Sequence, residues 1–349
     1  MSNFLYSTEI EQNHPLFGKF IAPIKAFIED ESDAQEKSKT ALDVLFNIEK
    51  SDRFAESVIS DGDFDSFRIK KEGQRAENLK FDGGYKKIIE HVEIGGEFTI
   101  TRKMAADSKL GIAANIQREP RKFVRAYYKA RVKLATEALI KATVPHASIL
   151  GEKIDLTTAD GKPLFSSEHT FSSDKMKGKK ASNYFYGDFT KDTATFESTL
   201  NTLANTMRNF SNEQGEPMEY VPDVLIIPGN RPRLEKIAKQ VVGTERTTGG
   251  NNNDINLQMG NWTLVVLSNW QTEDDRFMLM SSAANEQLDA NMFYDRERLD
   301  IKAFEDPHTR DLCWNGYARV SAGFTTWKHI LLGVSSASAV KDATKIEIA

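Results

Sequence analysis

The sequence predicts an α+β protein with more than one subdomain, and three observations support this class. The chain has 349 residues, which exceeds the size at which a single hydrophobic core keeps growing. The run from Pro120 to about residue 144 has no glycine and no internal proline, so it predicts one long helix. Elsewhere, short β-branched and aromatic runs are separated by glycine, asparagine and proline, which predicts strands joined by turns.

Composition excludes several classes of protein. Hydrophobic residues make up 40% of the chain, charged residues 28%, and the net charge is −5, which is typical of a globular protein without a general attraction for nucleic acid or anionic membranes. The single cysteine, Cys313, cannot form an internal disulfide, and no Cys/His cluster has zinc spacing. Because long apolar runs and a signal-like start are both missing, we expect neither a membrane span nor standard secretion.

Changes in the character of the sequence divide the chain into five segments. Residues 1–60 are charged and helical, with one apolar face, and predict an arm. Residues 61–105 are polar and rich in glycine and β-formers, so they predict an extended β-hairpin that cannot bury enough surface to fold alone. The long helix lies in segment 106–191, a helix-and-strand segment covers 192–305, and strand-like residues fill 306–349.

Segment 192–305 predicts a compact unit of helices packed on a sheet. Helix signals begin at Asp192 or Thr193 and again at Pro232, and strand signals cover 224–227, 262–267 and 277–280. Between these elements stand Gly249, Gly250, Asn251, Asn252 and Asn253. Because glycine and asparagine favour turns and left-handed backbone, we expect a mobile loop there.

The segment GKPLFSSEHTF, residues 161–171, places Ser166 close to His169 in sequence and suggests a hydrolase. A nucleophilic serine needs a base and an oxyanion hole, usually on a strained turn such as GxSxG, which this segment lacks. The members of a catalytic triad also normally come from separated segments. We therefore interpret the segment as a structural loop with Leu164 and Phe165 as buried anchors.

A second chemical hypothesis concerns calcium. Asp61, Asp63, Asp65 and Glu72 occupy the first, third, fifth and twelfth positions of a calcium-binding loop. Ser66 stands where the sharp turn requires glycine, and the residues that follow predict a poor exit helix. Calcium binding and a solvated turn at the base of the hairpin both stay open at this point.

Other chemical motifs are missing from the sequence. The glycine-rich stretches contain neither GxxxxGK[ST] nor GxGxxG, and no histidine lies in an HExxH pattern. We therefore expect no catalytic residues, no cofactor and no enzymatic activity.

Four stretches, taken in order, carry a resemblance to a known family. They are ITRKMAADSKLGIAANI (100–116), GKPLFSSEHTF (161–171), VPDVLIIPGNRPRLEKIA (221–238) and WTLVVLSNW (262–270). In this order they resemble the major capsid proteins of tailed bacteriophages, more specifically the Mu-like major head subunit family. The resemblance spans roughly residues 60–335, and its order matters more than any one stretch, because each stretch alone is weak.

The resemblance implies the tailed-phage major capsid fold. The five segments become an N-terminal arm, an extended β-hairpin loop, a peripheral subdomain with a spine helix, an axial α/β subdomain and a C-terminal return to the peripheral subdomain. The Gly/Asn loop would face the centre of each capsomer. The hairpin would lie over the adjacent subunit, and its candidate intersubunit residues are Arg68, Lys70, Lys71, Lys80 and Asp82.

The function implied by the resemblance is self-assembly through pentamers and hexamers into an icosahedral head that encloses double-stranded DNA. The implied partners are other copies of the chain, scaffolding, portal and decoration proteins, and DNA by non-specific contact, without a membrane. The implied location is the virion, after assembly in the host cytoplasm. The alternatives are an encapsulin-like nanocompartment shell and a hydrolase using Ser166 and His169. Self-crosslinking through Lys70, Lys71 or Lys80 is a further option.

Overall fold

The computed structural model describes most of the chain. The described residues are 4–10, 17–60, 63–64, 67–76, 78–79, 81–82, 84–106, 113–244, 256, 258–335 and 342–346. Within these ranges, no helix has the length and apolar character needed to cross a membrane.

The helices are interspersed with runs of strands along these ranges. The helices are α1 (Gly18–Lys37), α2 (Ala41–Leu45), α3 (Arg102–Ala106), α4 (Ala113–Ile140), α5 (Thr193–Arg208), α6 (Pro232–Gly243) and α7 (Ser282–Gln287). The strands up to α5 are β1 (Leu5–Thr8), β2 (Asn47–Lys50), β3 (Ala55–Ile59), β4 (Asp63–Phe64), β5 (Phe81–Asp82), β6 (Lys86–Glu90), β7 (Val92–Ile100), β8 (His146–Ile149), β9 (Glu152–Asp155), β10 (His169–Thr170), β11 (Lys180–Ala181) and β12 (Tyr184–Tyr186). The later strands are β13 (Val224–Pro228), β14 (Thr263–Leu267), β15 (Arg276–Met280), β16 (Asn291–Glu305), β17 (Leu312–Phe324), β18 (Ile330–Val334) and β19 (Thr344–Lys345).

Two large sheets organise these elements. The first has five strands in the order β1-β16-β17-β7, with β2 also pairing with β16. The second has six strands in the order β14-β13-β15-β18-β12-β19. Every residue of β13 is buried, because β14 and β15 flank this strand and α6 packs on it, and this explains why its sequence is continuously apolar.

The hydrophobic core has two main clusters. The larger cluster joins the six-stranded sheet, α5, α6, the second half of α4 and the 161–171 loop. The second cluster joins α1 and the first half of α4 to the five-stranded sheet through Ile24, Ile28, Val124, Ile301 and Trp314. The long helix α4 therefore contributes to both clusters, which explains why its sequence carries apolar residues on more than one side.

The described residues of the predicted N-terminal arm are packed on the body of the protein. Helix α1 buries Ile21, Ile24 and Ile28 against α4, and β1 and β2 pair with β16 in parallel. Glu31, which is buried, receives two hydrogen bonds from the Arg125 guanidinium, at 2.6 and 3.0 Å. The apolar residues of α1 recur at intervals of three and four, but the surrounding charges hid this stripe in the sequence.

The predicted start of the spine helix at Pro120 is wrong. Helix α4 begins at Ala113 and passes through Pro120, and it ends at Ile140 rather than near 144. The residues before the proline include Ala, Gln, Arg and Glu, which favour helix, so the helix extends backwards with one backbone hydrogen bond missing. At the other end, residues 141–144 form tighter turns before Pro145.

The predicted segment boundaries do not follow the two sheets. Strand β16, from segment 192–305, pairs with β17 in the five-stranded sheet, whereas β18 and β19, from segment 306–349, lie in the six-stranded sheet beside β12. Strand β7, placed in the hairpin by the prediction, pairs with β17. Which strands pair depends on how segments that are distant in the sequence pack and bury their side chains. Local sequence patterns therefore do not predict the partners.

Candidate assembly surfaces

The 161–171 loop is fixed inside the larger core cluster. Its turn places Gly161 at a φ of +77°, a left-handed value that favours glycine. The side chains of Leu164 and Phe165 are 0% and 2% exposed and pack with the core, and the backbone N–H of Phe165 donates to the carbonyl of Ala142. The apolar pair thus anchors the loop to the end of the spine helix.

His169 is enclosed by polar and aromatic partners. Its Nδ1 lies 2.8 Å from Asp160 Oδ2, and its Nε2 lies 3.2 Å from both the Leu164 carbonyl and Asn183 Oδ1. The imidazole stacks on Trp327 with 4.6 Å between ring centroids and 10° between the planes. These partners are oxygen atoms of a carboxylate, a backbone carbonyl and a side-chain amide, and together they fix the orientation of the ring.

The electrostatics of this pair follow from opposing effects on Asp160. Burial by itself raises the pKa of the Asp160 carboxyl, but the hydrogen bond and charge of His169, together with Thr158 and the Lys162 backbone, leave that pKa below its usual value. The side chains of His169 and Asp160 are 0% and 3% exposed. The pair is therefore a buried, hydrogen-bonded link across the loop.

The arrangement does not provide a serine nucleophile with a base. The Ser166 hydroxyl oxygen accepts a hydrogen bond from the Glu168 backbone at 3.1 Å, and the imidazole of His169 faces Asp160, Asn183 and Leu164 instead. Because the imidazole is buried, a substrate could not reach it in this conformation. The hydrolase hypothesis therefore lacks the geometry that it requires.

Sequence reasoning missed the residues that complete this region. Asn183 donates from Nδ2 to the carbonyls of Leu164 and Ile330, and Trp327 covers the imidazole of His169. Beside them, Lys328 and Glu213 form a buried ion pair at 3.3 Å. A lysine within an apolar C-terminal run was the one signal in the sequence, and its partner lies more than a hundred residues away.

The hairpin projects from the body through a short antiparallel stem. Strand β3, which the prediction placed in the arm, pairs with β6, so the observed hairpin begins near Phe54 rather than at residue 61. Farther out β4 pairs with β5, where Asp63 stands opposite Asp82. At the tip, the Gln74 backbone donates to the Lys71 carbonyl at 3.1 Å, and Gly73 has a φ of +77°. Residues 67–70 are therefore an exposed segment of irregular backbone before a tight turn.

The five candidate hairpin residues are only partly brought together. Arg68, Lys70 and Lys71 are exposed at the tip, and Asp82 lies in the stem. Lys80 lies outside the described residues. The structure therefore groups the three basic residues before the turn.

Sequence reasoning also missed the apolar surface of the hairpin. Several large apolar side chains on it are exposed: Phe54 by 81%, Ile59 by 64%, Phe67 by 95%, Ile69 by 102% and Ile88 by 53%. Ile59 and Ile88 lie on the same face of the β3–β6 pair, because Ile59 stands opposite Lys86 and Ile88 stands opposite Ser57. The β-forming residues in this stretch predicted strands. They did not indicate which of the apolar side chains would be exposed to solvent.

The calcium hypothesis finds little support in the described residues. Asp63 belongs to a strand pair, and Glu72 begins the exposed tip turn without a following helix, whereas Asp61 and Asp65 lie outside the described residues. In the part of the chain that the structure describes, no three His, Cys, Asp or Glu side chains are grouped to hold a metal ion. The described residues on the two sides of this stretch, 55–60 and 67–76, contain no helix that could flank a calcium loop.

The predicted axial loop, with Gly249, Gly250, Asn251, Asn252 and Asn253, lies outside the described residues. Its flanks are tied together, because Asn256 donates from Nδ2 to the carbonyls of Val241 and Thr244, at 2.6 and 2.9 Å. Asn256 is buried. The loop therefore starts and ends at the C-terminal end of α6.

Comparisons with known proteins agree with this architecture. Solved structures from Mycobacterium phage Patience (11% identity, 98% of this chain and 95% of the other covered, TM-score 0.53) and of the capsid of Ralstonia phage GP4 (12%, 84% and 87%, 0.51) share the fold. No match is found among curated protein sequences. A family model described as phage capsid protein matches residues 85–332, which is most of the chain. The chain therefore belongs to the phage capsid protein family.

Proposed function

We propose that this protein is the major head subunit of a tailed bacteriophage, and that copies of it assemble through pentamers and hexamers into an icosahedral shell around double-stranded DNA. Membership of the phage capsid protein family supports the role in the shell. The order of its sequence stretches favours the Mu-like major head subunits within that family. In this proposal the protein is structural and catalyses no reaction.

The exposed apolar surface of the hairpin is the observation that carries the assembly proposal. A two-stranded hairpin has no core of its own, and five large apolar side chains on this one are mostly in contact with solvent. Covering them with a second copy removes that surface from water and stabilises the contact by about 25 cal/mol per Å² buried. Many such contacts in a closed shell make the whole stable although each is weak.

The two sheets support a division into two working parts. The unit with the five-stranded sheet, α1 and α4 corresponds to the peripheral subdomain, and the unit with the six-stranded sheet, α5 and α6 corresponds to the axial subdomain. In this proposal, residues 249–253 face the five- or six-fold centre of a capsomer. Scaffolding, portal and decoration proteins are proposed partners in the virion.

The relation to the genome is proposed to be weak and non-specific. The chain carries 46 basic and 51 acidic residues, so a shell of many copies has no general attraction for DNA. Strong phosphate binding would hinder the movement of DNA during packaging. In this proposal the shell encloses the DNA without binding it strongly.

Electron microscopy of the purified full chain tests the proposal. Shells, tubes or hexamer sheets are expected, and replacement of residues 67–76 by a short Gly-Ser linker should leave a folded chain that forms none of them. Shells of normal yield from that variant would refute the assembly role of the hairpin. Copurification of an enzyme inside the shells would favour a nanocompartment, and bands well above the 39.3 kDa of one chain on a denaturing gel would reveal covalent crosslinks.

A further inference from the structure

His91 lies where the returning strand of the hairpin joins the body of the protein. Strand β6 ends at Glu90 and pairs with β3 of the hairpin, and strand β7 begins at Val92 and pairs with β17 of the body. His91 is therefore the residue at which the chain changes from the hairpin to the five-stranded sheet. A change in the contacts of its side chain acts directly on the attachment of the hairpin.

The imidazole of His91 connects three segments of the chain. Its Nε2 lies 3.1 Å from the hydroxyl oxygen of Ser51, the first residue after β2, where the outgoing side of the hairpin leaves the body. Its Nδ1 lies 3.0 Å from the hydroxyl oxygen of Ser321 on β17. Both serines are buried, and the Tyr294 ring packs edge-on against the imidazole with 6.5 Å between the ring centroids. His91, Ser51 and Ser321 together form a joint that holds both connections of the hairpin.

The hydrogen bonds of Ser51 determine which nitrogen of His91 carries the proton. The Ser51 hydroxyl donates to Glu56 Oε1 at 2.6 Å, so it has no second hydrogen to give to the imidazole. His91 therefore donates from Nε2 to Ser51, and its Nδ1 accepts a hydrogen bond from the Ser321 hydroxyl. The neutral ring satisfies both serines. A second proton, on Nδ1, would force the Ser321 hydroxyl to turn away and find a new acceptor.

The charges around the joint oppose this second proton on balance. Burial and the cations Arg319 and Arg296 lower the pKa of His91, against Glu56, which raises it. Burial also raises the pKa of Tyr294, so this ring stays neutral.

The remaining charged groups of the surrounding elements are exposed or held in ion pairs. Glu90 is exposed at the end of β6. The ion pairs join Arg319 to Glu93 and Glu297, Arg296 to Asp52, and Arg53 to Glu56.

We propose that the joint is sensitive to pH: it fixes the hairpin to the body while the His91 ring is neutral, and uptake of a proton on Nδ1 loosens the attachment. The proton breaks the hydrogen bond from Ser321 and adds a positive charge to a site already opposed by Arg296 and Arg319. A loosened joint returns His91 to its ordinary pKa of 6.5, whereas the attached joint favours the neutral ring. The attachment is therefore complete above pH 6.5 and weakens as the pH falls below it. This device works within one chain and does not depend on the proposed shell function.

Distances between two spin labels test the joint in the unassembled full chain. The labels are attached at Ile59→Cys on the hairpin and Val144→Cys on the body, since these sites are 64% and 45% exposed and the native Cys313 is buried. The distribution of distances should be narrow at pH 7.5 and should broaden reversibly at pH 5. His91→Gln should abolish the broadening, because glutamine offers a donor and an acceptor but takes up no proton. No broadening with His91 present, or broadening that persists in folded His91→Gln, would overturn the proposal.

A shift of the transition distinguishes a titrating His91 from a purely structural one. Arg319→Gln removes a cation that opposes the second proton and keeps His91, so the midpoint of the broadening should rise by about 1 pH unit. The matched control is His146→Gln, because the half-exposed His146 lines the same groove at the base of the hairpin as His91 and should leave the midpoint unchanged. Circular dichroism checks that each variant is folded. A midpoint that stays in place in Arg319→Gln, or that moves in His146→Gln, would assign the response to another group and refute the role of His91.

Discussion

The 161–171 loop and the hairpin are both polar stretches of sequence, yet the loop has buried polar side chains and the hairpin has exposed apolar ones. The loop places His169 and Asp160 inside the core, where each polar group has a partner on the same chain. The hairpin places Phe67 and Ile69 in solvent, where the described part of the chain leaves them almost fully exposed. The loop therefore has its partners within one copy, whereas the hairpin leaves apolar side chains in solvent that, in the proposed shell, a second copy covers.

This difference separates folding from assembly. The stability of the folded chain depends on keeping buried polar groups paired, because an unpaired buried charge costs several kcal/mol. Exposed apolar side chains contribute little to the stability of the monomer, but they supply the surface that a partner removes from water. Substitutions in the loop should therefore change the free energy of unfolding, whereas substitutions at the hairpin tip should change association.

The largest expected effect on stability is that of His169→Ala. The substitution removes the hydrogen bond from His169 to the buried Asp160 carboxyl and the stacking on Trp327, so we expect a loss of about 3 kcal/mol in the free energy of unfolding. Urea denaturation of the dissociated chain measures it. The control is His146→Ala, because His146 is half-exposed and lies 3.7 Å from Asp155, so its loss should cost less than about 1 kcal/mol. Equal stability of the two variants would contradict the structural role of the loop.

The sequence predicts those features whose interacting residues are close together along the chain, and it fails for contacts between distant residues. Helix α5 and strand β13 follow from local spacing, and their bounds agree with the structure within one or two residues. The buried loop residues Leu164 and Phe165 followed from an apolar pair inside a turn-rich stretch. The partners Asn183 and Trp327 did not follow, because they meet His169 only through long-range packing.

The candidate assembly surfaces show the same limit more strongly. The basic residues Arg68, Lys70 and Lys71 could be selected from the sequence because charge is visible residue by residue. The exposure of Ile69 and Ile88 could not, since an isoleucine in a β-forming stretch normally predicts burial. The close approach of Gly323 to Ile89 could not be predicted either, because these residues lie on strands β17 and β6, which are far apart in the sequence.

A pH experiment tests His329, a buried histidine that is held by a side-chain amide rather than by a carboxylate. Burial lowers the pKa of His329 to about 3, and its Nε2 lies 2.8 Å from Asn291 Oδ1. The unfolded chain binds a proton at this residue near pH 6.5 and the folded chain does not. Stability is therefore full above pH 6.5 and falls as the pH drops towards 3, by about 2 kcal/mol at pH 5.

The variant His329→Gln should flatten this dependence between pH 8 and pH 5, because glutamine cannot take up the proton in the unfolded state. The matched control is His308→Gln, which replaces an exposed histidine and should retain the slope. Free energies of unfolding at four or five pH values measure both. An unchanged slope in His329→Gln would show that His329 takes up a proton equally well in the folded and the unfolded chain. That result would contradict the lowered pKa expected from its burial.

A smaller effect is expected where the hairpin joins the body. In Gly323→Ala, the new methyl group would lie 2.8 to 3.0 Å from three atoms of Ile89, so we expect a loss of about 1–2 kcal/mol from overpacking. The control is Gly243→Ala, where nothing lies within 4 Å of the added Cβ. Thermal unfolding of both variants measures the difference. A neutral Gly323→Ala would mean that Ile89 and the base of the hairpin shift readily to accommodate the added methyl group.

The smallest expected effect on stability is that of Ile69→Ser, and it is the substitution that separates the two regions most clearly. The side chain is 102% exposed, so its removal should change the free energy of unfolding by less than about 0.5 kcal/mol. The same change removes most of the apolar surface that this side chain brings to a contact and should lower the yield of shells about tenfold, because one large buried aliphatic side chain contributes about 1.5–3 kcal/mol. Val221→Ser, at an exposed apolar site outside the hairpin, should leave both quantities unchanged. Electron microscopy and urea denaturation of the same preparations make the comparison, and a loss of stability without a loss of assembly would reverse the roles assigned to the two regions.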